Sequence, residues 1–423
     1  MADTLGHRIL PNGIKILWDH VASSSVASLG FFYPFGSRDD PAGREGLAHF
    51  VEHFVFKGTE NFSASSLARK VDSVGGDLNA YTDRSEIGFT CTVPANSWTL
   101  ALEVLVELCF RPTFPPEEFE KEKSVILSEI QASEEDPEEI AYEAFLARLD
   151  PGHAELRPVA GTISSVSSLD YSSVVAWAGS HLRPENLVFC WSGPLEPELV
   201  IDCLISRSPS KAPQARVLSY RPIFARPFIE SVRSSFQIVQ LVLGFHRNEA
   251  ITWEDSLFLQ TFSILWGETM GSRLFQRLRE DLGLCYSVAS QVWETEASSG
   301  LHTFLSVRPE NLEKTLSTLH VLLNELSSQP PSTLEWQEAK KSLIGSFVLS
   351  SERMENRMQR LFSVWSRWGR LVSVNQILAD LERIDLVNLW PTWSRIFSIE
   401  NSSLFLLGKN SSKILSKEKA RWT

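Results

Sequence analysis

LAHFVEHFVF, residues 47–56, is an almost wholly apolar stretch that carries two histidines and one glutamate. His49 and His53 are four positions apart, so on a helix both imidazoles lie on one face, about one turn from each other. That spacing suits two ligands of one zinc ion, and Glu52 borders the same face, where it can accept a proton from water. The alternative is a pair of core histidines satisfied by hydrogen bonds, since the apolar neighbours indicate a buried helix.

A short acidic stretch supplies candidates for a third ligand. Residues 117–143 contain eleven acidic side chains and two lysines, in a chain whose formal net charge is −12. Val125, Ile126 and Ile130 mark the buried side of a helix, and Glu122 and Glu129 stand two turns apart beside that side. Catalytic zinc takes three protein ligands, and the pattern leaves open which carboxylate is the third. The rest of the stretch is typical of a solvated helix or an acidic loop.

The composition excludes several classes of protein. With 40 basic and 52 acidic residues in 423, no global charge favours nucleic acid or an anionic membrane. No segment approaches the ~18 to 20 apolar residues of a membrane span, and the N-terminus lacks the features of a secretory signal. Five widely spaced cysteines without a CxxC pair indicate reduced thiols. We therefore expect a cytoplasmic protein with no membrane span and no nucleic-acid partner.

The order of patterns along the chain indicates two halves. Strand-like runs on either side of the turn 11–13 (PNG) predict a β-hairpin. A polar segment with two prolines, 207–216 (RSPSKAPQAR), is the best linker candidate. Both halves also contain a helical pattern, a glycine turn and a strand with a tyrosine, which is weak evidence for duplication. We predict an N-terminal domain, a linker and a C-terminal domain over 1–206, 207–225 and 226–423.

Further motifs occur along nearly the whole chain. They are GSRD at 36–39, GLAHFVEHFVFKGT at 46–59, GG at 75–76, NAYT at 79–82, Glu122 and Glu129, GT at 161–162, RPEN at 183–186, SRLFQ at 272–276, Arg279, and GLCY at 283–286. Together they resemble the pitrilysin/insulinase family of zinc peptidases, and within it the branch of the mitochondrial processing peptidase and its short bacterial relatives. The resemblance implies an α+β fold of two homologous α/β-sandwich halves, each a mostly antiparallel sheet flanked by helices.

The resemblance also implies the roles of the residues around the histidine pair. His49, His53 and Glu129 bind one zinc ion per chain, because Glu129 has the family's spacing after the second histidine. Glu52 is the general base, and Glu122 is similar to a carboxylate that orients a ligand histidine. The second half contains no HxxEH motif, so one zinc site per chain is expected.

Four other residues match the positions that bind substrate in the family. Asn79 and Ala80 belong to the motif on an edge strand that holds an extended peptide by β-addition. Arg279 and Tyr286 match a pair that grips the substrate and donates hydrogen bonds to its carbonyl oxygen. From the residues alone, Arg279 is a surface arginine and Tyr286 a strand tyrosine in the core.

The function implied by the resemblance is a zinc-dependent endopeptidase that hydrolyses unfolded or extended peptides. In the family, chains of this length pair to enclose a chamber, so a homodimer or a heterodimer with a related chain is implied. Glu139 and Glu143 match acids that hold a basic substrate residue in the processing peptidase, whereas the alternative is two solvated glutamates. The competing function is a catalytically silent peptide-binding or scaffold subunit, but such members typically lack ligand residues that are present here.

Overall fold

The structure is a computed structural model that describes residues 4–210, 221–295 and 297–422. The chain divides into two compact units, neither of which is continuous in sequence. The first unit comprises Met1–Ala132, Arg157–Ser219 and Val348–Val374, and the second comprises Ser133–Leu156, Tyr220–Phe347 and Asn375–Thr423.

Both units contain strands and helices. The strands are β1 (Thr4–Ile9), β2 (Lys15–His20), β3 (Val26–Tyr33), β4 (Asp77–Thr82), β5 (Ile87–Pro94), β6 (Val188–Gly193), β7 (Ile229–Val232), β8 (Val239–Arg247), β9 (Cys285–Glu294), β10 (Ser299–Val307) and β11 (Ser402–Leu407). The α-helices are α1 (Leu47–Val55), α2 (Ala64–Asp72), α3 (Trp98–Phe110), α4 (Pro116–Ser133), α5 (Pro137–Leu149), α6 (Ile163–Ser167), α7 (Tyr171–His181), α8 (Pro197–Arg207), α9 (Trp253–Ser263), α10 (Leu312–Ser328), α11 (Thr333–Ser351), α12 (Met354–Trp368), α13 (Val374–Arg383), α14 (Leu386–Ile396) and α15 (Ser411–Trp422). Short 3₁₀ or π turns cover Ser37–Asp39, Ala95–Ser97, Ala154–Leu156, Pro184–Asn186, Ile264–Glu268, Phe275–Asp281 and Pro309–Asn311.

The sheet of the first unit has the strand order β1-β2-β6-β3-β5-β4 within the described residues. β2 and β6 pair in parallel, and the other neighbouring strands pair antiparallel. The predicted hairpin is confirmed, since β1 and β2 pair around a turn in which Gly13 has a positive φ of 89°. β4 lies at the edge of this sheet, which leaves one side of its backbone without a strand neighbour.

The sheet of the second unit repeats this arrangement. Its strand order in the described residues is β7-β11-β8-β10-β9, with β7 and β11 parallel and the other neighbours antiparallel. Apart from the extra β1, each strand therefore has a counterpart in the first sheet, and β9 occupies the edge position that β4 has there. The α+β prediction of two mostly antiparallel sheets flanked by helices is confirmed.

Each compact unit contains a helix from the other half of the chain, unlike the continuous domains 1–206 and 226–423 of the sequence prediction. α12 packs on the first sheet, where Phe362 stacks on Phe32 with ring centroids 4.7 Å apart. α5 packs on the second sheet, where the buried Phe145 joins Val242 and Phe405 in one core. Long-range packing decides the unit of each helix, and local sequence periodicity does not report it.

The predicted linker, 207–225, is described only in part. Residues 211–220 lie outside the described residues, and Arg207 is the last residue of α8. Ile223 and Ala225 are buried in the core of the second unit, so the last residues of the predicted linker are part of that unit. In the part of the chain that the structure describes, no helix has the length and apolar character required to cross a membrane.

Candidate metal centre and active site

The N-terminus of α1 is held by a short polar network. Gly46 precedes the helix with φ at 98°, and a Cβ at this position would lie 2.6 Å from the carbonyl oxygen of Ala160. The Asp40 carboxylate accepts hydrogen bonds from the backbone N–H groups of Gly46 and Ala48, at 2.8 and 3.0 Å. These contacts satisfy otherwise unpaired N–H groups at the helix start and fix where α1 begins.

The apolar face of α1 fixes the direction of the two histidines. Phe50, Val51 and Phe54 are fully buried in the core of the first unit. His49 and His53 lie on a different face and are only half-buried, with ring centroids 4.6 Å apart. The prediction that the spacing of four brings both imidazoles together is therefore confirmed.

α4 brings the two candidate carboxylates to opposite nitrogens of the same imidazole. Glu122 Oε1 lies 2.8 Å from Nδ1 of His53, and Glu129 Oε2 lies 3.6 Å from its Nε2. Side-chain exposure is 5% for Glu122 and 48% for Glu129. The structure thus separates the two acids that the helical pattern could not distinguish.

His49, His53 and Glu129 form a group with the chemistry of a metal site. One ligand atom from each lies within 4.8 Å of the other two. Two imidazoles and one carboxylate are a set that binds catalytic zinc. The buried Nδ1 of His49 has no hydrogen-bond partner among the described residues, whereas a satisfied core histidine would have one. The residues therefore fit zinc better than a purely structural role.

Electrostatics at the group favour a ligand state for His49. Burial, together with the nearby His53, lowers the pKa of His49 to about 4, so its imidazole is neutral near pH 7. Burial lowers the pKa of His53 as well. Its hydrogen bond to Glu122 and the charges of Glu129 and Glu52 raise that pKa by more than burial lowers it, so the net shift is upward. The negative side chains around His53 favour a cation at this position.

Glu52 is held at the border of the group by the edge strand. Its Oε2 accepts a hydrogen bond of 2.7 Å from the hydroxyl of Thr82, the last residue of β4. Burial raises the pKa of Glu52, the Thr82 hydrogen bond and His53 lower it, and Glu129 raises it, with a net increase. A raised pKa makes a carboxylate a stronger base, which suits a group that accepts and returns a proton.

The edge strand places two further predicted residues in the first unit. Asn79 and Ala80 lie on β4 opposite Thr90 and Phe89 of β5. Asn79 is exposed, and its Oδ1 accepts a hydrogen bond from the N–H of Ala80 at 2.9 Å. Thr82, which contacts Glu52, is two residues after Ala80 on the same strand. The edge that carries Asn79 and Ala80 therefore ends next to Glu52.

Two polar residues at the site were missed by the sequence analysis. Lys57 forms an ion pair with Glu122 through Oε2, and Thr82 donates to Glu52. Lys57 follows His53 by four positions, the same spacing that separates the two histidines, and this periodicity is the signal that could have found it. Thr82 is part of the NAYT motif, but its partner becomes evident only when β4 is placed against α1.

Arg279 and Tyr286 lie in the second unit, and the group in the first unit forms without them. Arg279 is exposed in the turn Phe275–Asp281, with its guanidinium 4.8 Å from the ring centroid of Phe275. Tyr286 is the second residue of the edge strand β9 and is 81% exposed. The interpretation of Tyr286 as a core tyrosine is therefore wrong, because the side chain faces solvent.

Glu139 and Glu143 do not continue the helix that carries Glu122 and Glu129. α4 ends at Ser133, and α5 starts at Pro137 with Asp136 as its N-cap, whose carboxylate accepts from the N–H of Glu138 at 2.9 Å. The acidic stretch therefore forms two helices, because a capping aspartate followed by proline starts a new one. Glu139 is exposed and Glu143 half-buried, and both belong to the second unit.

Family models match the two halves of the chain in succession. Residues 15–162 match the insulinase model of peptidase family M16, and residues 168–343 match a model described as the peptidase M16 inactive domain. The chain belongs to peptidase family M16. The first match contains the histidine pair and Glu129. Within the described residues of the second match, no such metal-binding group occurs, in agreement with the description of that model.

Individual M16 relatives agree over nearly the full length of the chain. An uncharacterized zinc protease from Rickettsia bellii is 26% identical over 401 residues, covering 95% of this chain and 97% of the relative. An uncharacterized zinc protease from Bacillus subtilis is 27% identical over 375 residues, covering 89% and 91%. The crystal structure of a protease from Helicobacter pylori has a TM-score of 0.87 at 19% identity, covering 96% and 99%, which shows that the fold is shared.

Proposed function

We propose that the protein is a zinc-dependent metalloendopeptidase that cleaves unfolded or extended peptides. The observation that carries this proposal is the group of His49, His53 and Glu129 on α1 and α4, with Glu52 beside it. The relatives from Rickettsia bellii and Bacillus subtilis are described as zinc proteases, which supports the same choice of metal. The first unit would be the catalytic domain, and each chain would hold one zinc ion.

In this proposal, each residue of the group has a distinct task. The metal is held by His49, His53 and Glu129. When bound, zinc would supply a Lewis acid that polarises a carbonyl and lowers the pKa of water to about 7. The Glu52 carboxylate removes a proton from the attacking water and returns it to the nitrogen of the departing amine. Thr82 donates to one oxygen of Glu52, which orients the carboxylate and leaves its other oxygen available to the proton.

The edge of β4 would bind the substrate backbone next to Glu52. An extended peptide can add to a free strand edge through main-chain hydrogen bonds, which requires that segment to be unfolded. Asn79 and Ala80 would face this added strand. Thr82, on the same strand, would keep Glu52 next to the bound peptide through its hydrogen bond. This arrangement explains a preference for extended peptides without a preference for one side chain.

Chelation tests the proposed function directly. We expect the native chain to cleave an unstructured peptide, to lose that activity on treatment with a chelator, and to regain it when zinc is added back. The expected loss reaches the background rate, since the metal supplies the Lewis acid. Cleavage that is insensitive to chelation would contradict a metal-dependent reaction, and a pure chain without cleavage would favour the catalytically silent subunit instead.

Arg279 and Tyr286 would complete the site of a partner chain by donating hydrogen bonds to the developing oxyanion. To test this, a Glu52→Gln chain is mixed with a Tyr286→Phe chain, each inactive alone. A mixed dimer then holds one site with all native residues, and random pairing predicts about a quarter of native activity. A mixture as inactive as its components would exclude completion of the site between two copies of this chain.

Glu139 and Glu143 would favour basic peptides. We expect kcat/KM to be several-fold higher for a basic than for an acidic peptide of equal length at low salt. The ratio should fall towards one near 1 M salt, where the Debye length is about 3 Å. Replacing both residues by Gln should remove the preference at low salt. If the native chain cleaves the basic and the acidic peptide with equal kcat/KM, both glutamates are solvated residues without a role in substrate binding.

A further inference from the structure

We infer that Lys57 is a positioning residue for the metal centre, acting through Glu122 on the orientation of His53. This inference rests on the proposed zinc site and adds a residue that the ligand set does not include. Its basis is a continuous chain of contacts from Lys57 to Glu122, from Glu122 to Nδ1 of His53, and from Nε2 of His53 towards Glu129.

The two oxygens of Glu122 have different partners. Oε1 lies 2.8 Å from Nδ1 of His53, and Oε2 pairs with the Lys57 ammonium. A carboxylate bound at both oxygens is fixed in position and in rotation. When it accepts the Nδ1–H of His53, the lone pair on Nε2 remains free and directed at the ligand group.

Burial makes the second partner of Glu122 necessary. Glu122 is 4% exposed, and Phe119 and Ile126 on the same helix are also buried. A buried carboxylate with only a neutral N–H donor is unstable, because the loss of water is not compensated. Lys57 supplies the positive charge at Oε2. Without this positive charge, rotation of the Glu122 carboxylate towards solvent would be favoured, and the hydrogen bond that orients the His53 ring would be lost.

The chain holds Lys57 in place from both sides. Its own N–H donates to the carbonyl of Phe54 at 3.1 Å, at the end of α1. The carbonyl of the following residue, Gly58, accepts a hydrogen bond from the N–H of Thr113 at 3.0 Å. The hydroxyl of Thr59 donates to the buried Glu107 at 2.9 Å. None of these bonds involves a proposed zinc ligand, so the backbone around Lys57 is held independently of the ligand group, as a preorganised support requires.

Zinc affinity, measured by competition with a chelator on metal-free chains, tests the inference. We expect Lys57→Met to raise the Kd for zinc about 10-fold, the lower end of the range for residues that support a ligand. Lys57→Arg, which keeps the charge, should restore most of the affinity. The matched control is Lys70→Met, since Lys70 is equally exposed and pairs with Glu103 at 2.9 Å; its Kd should equal the native value.

A double-mutant cycle identifies the path of the effect. If Lys57 acts through Glu122, Lys57→Met should change the Kd little in a Glu122→Gln background. The KM for peptide should stay native while kcat falls, because Lys57 does not bind substrate. Thermal unfolding of the metal-free chains verifies that each variant is folded, and Lys57→Gln replaces Lys57→Met if the latter is unfolded.

The outcomes separate this inference from the proposed function. A native Kd in the folded Lys57 variant, an equal effect in both backgrounds, or a change confined to KM would overturn the role of Lys57. A native chain that binds no zinc would instead overturn the proposed function on which this role depends.

Discussion

Glu52→Gln is expected to lower kcat for peptide cleavage by about 10²- to 10⁴-fold, the usual contribution of a positioned general base. The amide is nearly isosteric and still accepts the Thr82 hydrogen bond through its oxygen, but it cannot accept the proton of the attacking water. Zinc affinity should change little, since Glu52 is not part of the ligand group. Steady-state kinetics and a zinc titration measure the two quantities on the same preparation.

The matched control for this variant is Glu103→Gln. Glu103 is a half-buried carboxylate of the same unit that pairs with Lys70 and lies outside the ligand group. Its kcat should remain within a small factor of native. A Glu52→Gln chain that keeps native kcat would contradict the role of Glu52, whereas a chain that loses zinc would identify Glu52 as a ligand.

The second large effect is expected from Glu129→Gln. This change should raise the Kd for zinc by more than about 100-fold, the upper limit for residues that only support a ligand. Glu122→Gln should raise the Kd for zinc by about 10- to 100-fold, because Glu122 contacts Nδ1 of His53, the nitrogen that faces away from the ligand group. The measurement is chelator competition on both variants at one pH, with metal-free unfolding as the test of folding.

Glu120→Gln is the control on the same helix, since the Glu120 side chain is 77% exposed. It should bind zinc as the native chain does. The reverse order, with Glu122→Gln weakening zinc more than Glu129→Gln, would mean that α4 presents Glu122 as the ligand. The 3.6 Å approach of Glu129 to Nε2 of His53 would then be a contact without function.

The local part of the site was accessible from the sequence. The spacing of His49, Glu52 and His53 predicts their common helix, because helical periodicity is a property of neighbouring residues. The same periodicity cannot rank Glu122 and Glu129, which are seven positions apart and therefore lie on similar faces of α4. Only the packing of α4 against α1 assigns one to each nitrogen of His53.

The non-local part of the fold was not accessible in the same way. The reciprocal placement of α5 and α12 depends on contacts between residues far apart in the chain, such as Phe32 with Phe362. Thr82 was missed for the same reason, since it meets Glu52 only in the folded unit. The spacing from His53 could have indicated the helix face of Lys57, but not that its partner is Glu122. The exposure of Tyr286 was missed because an edge strand and a central strand have similar local patterns.

The most direct test of the metal centre is anomalous diffraction at the zinc absorption edge, on crystals of the native chain. We predict one peak per chain, about 2 Å from a nitrogen of His49, a nitrogen of His53 and an oxygen of Glu129. Glu122 should keep its contact with Nδ1 of His53 and lie outside the zinc ligands. Zinc bound at other residues, or crystals grown with zinc that show no peak between α1 and α4, would contradict the account.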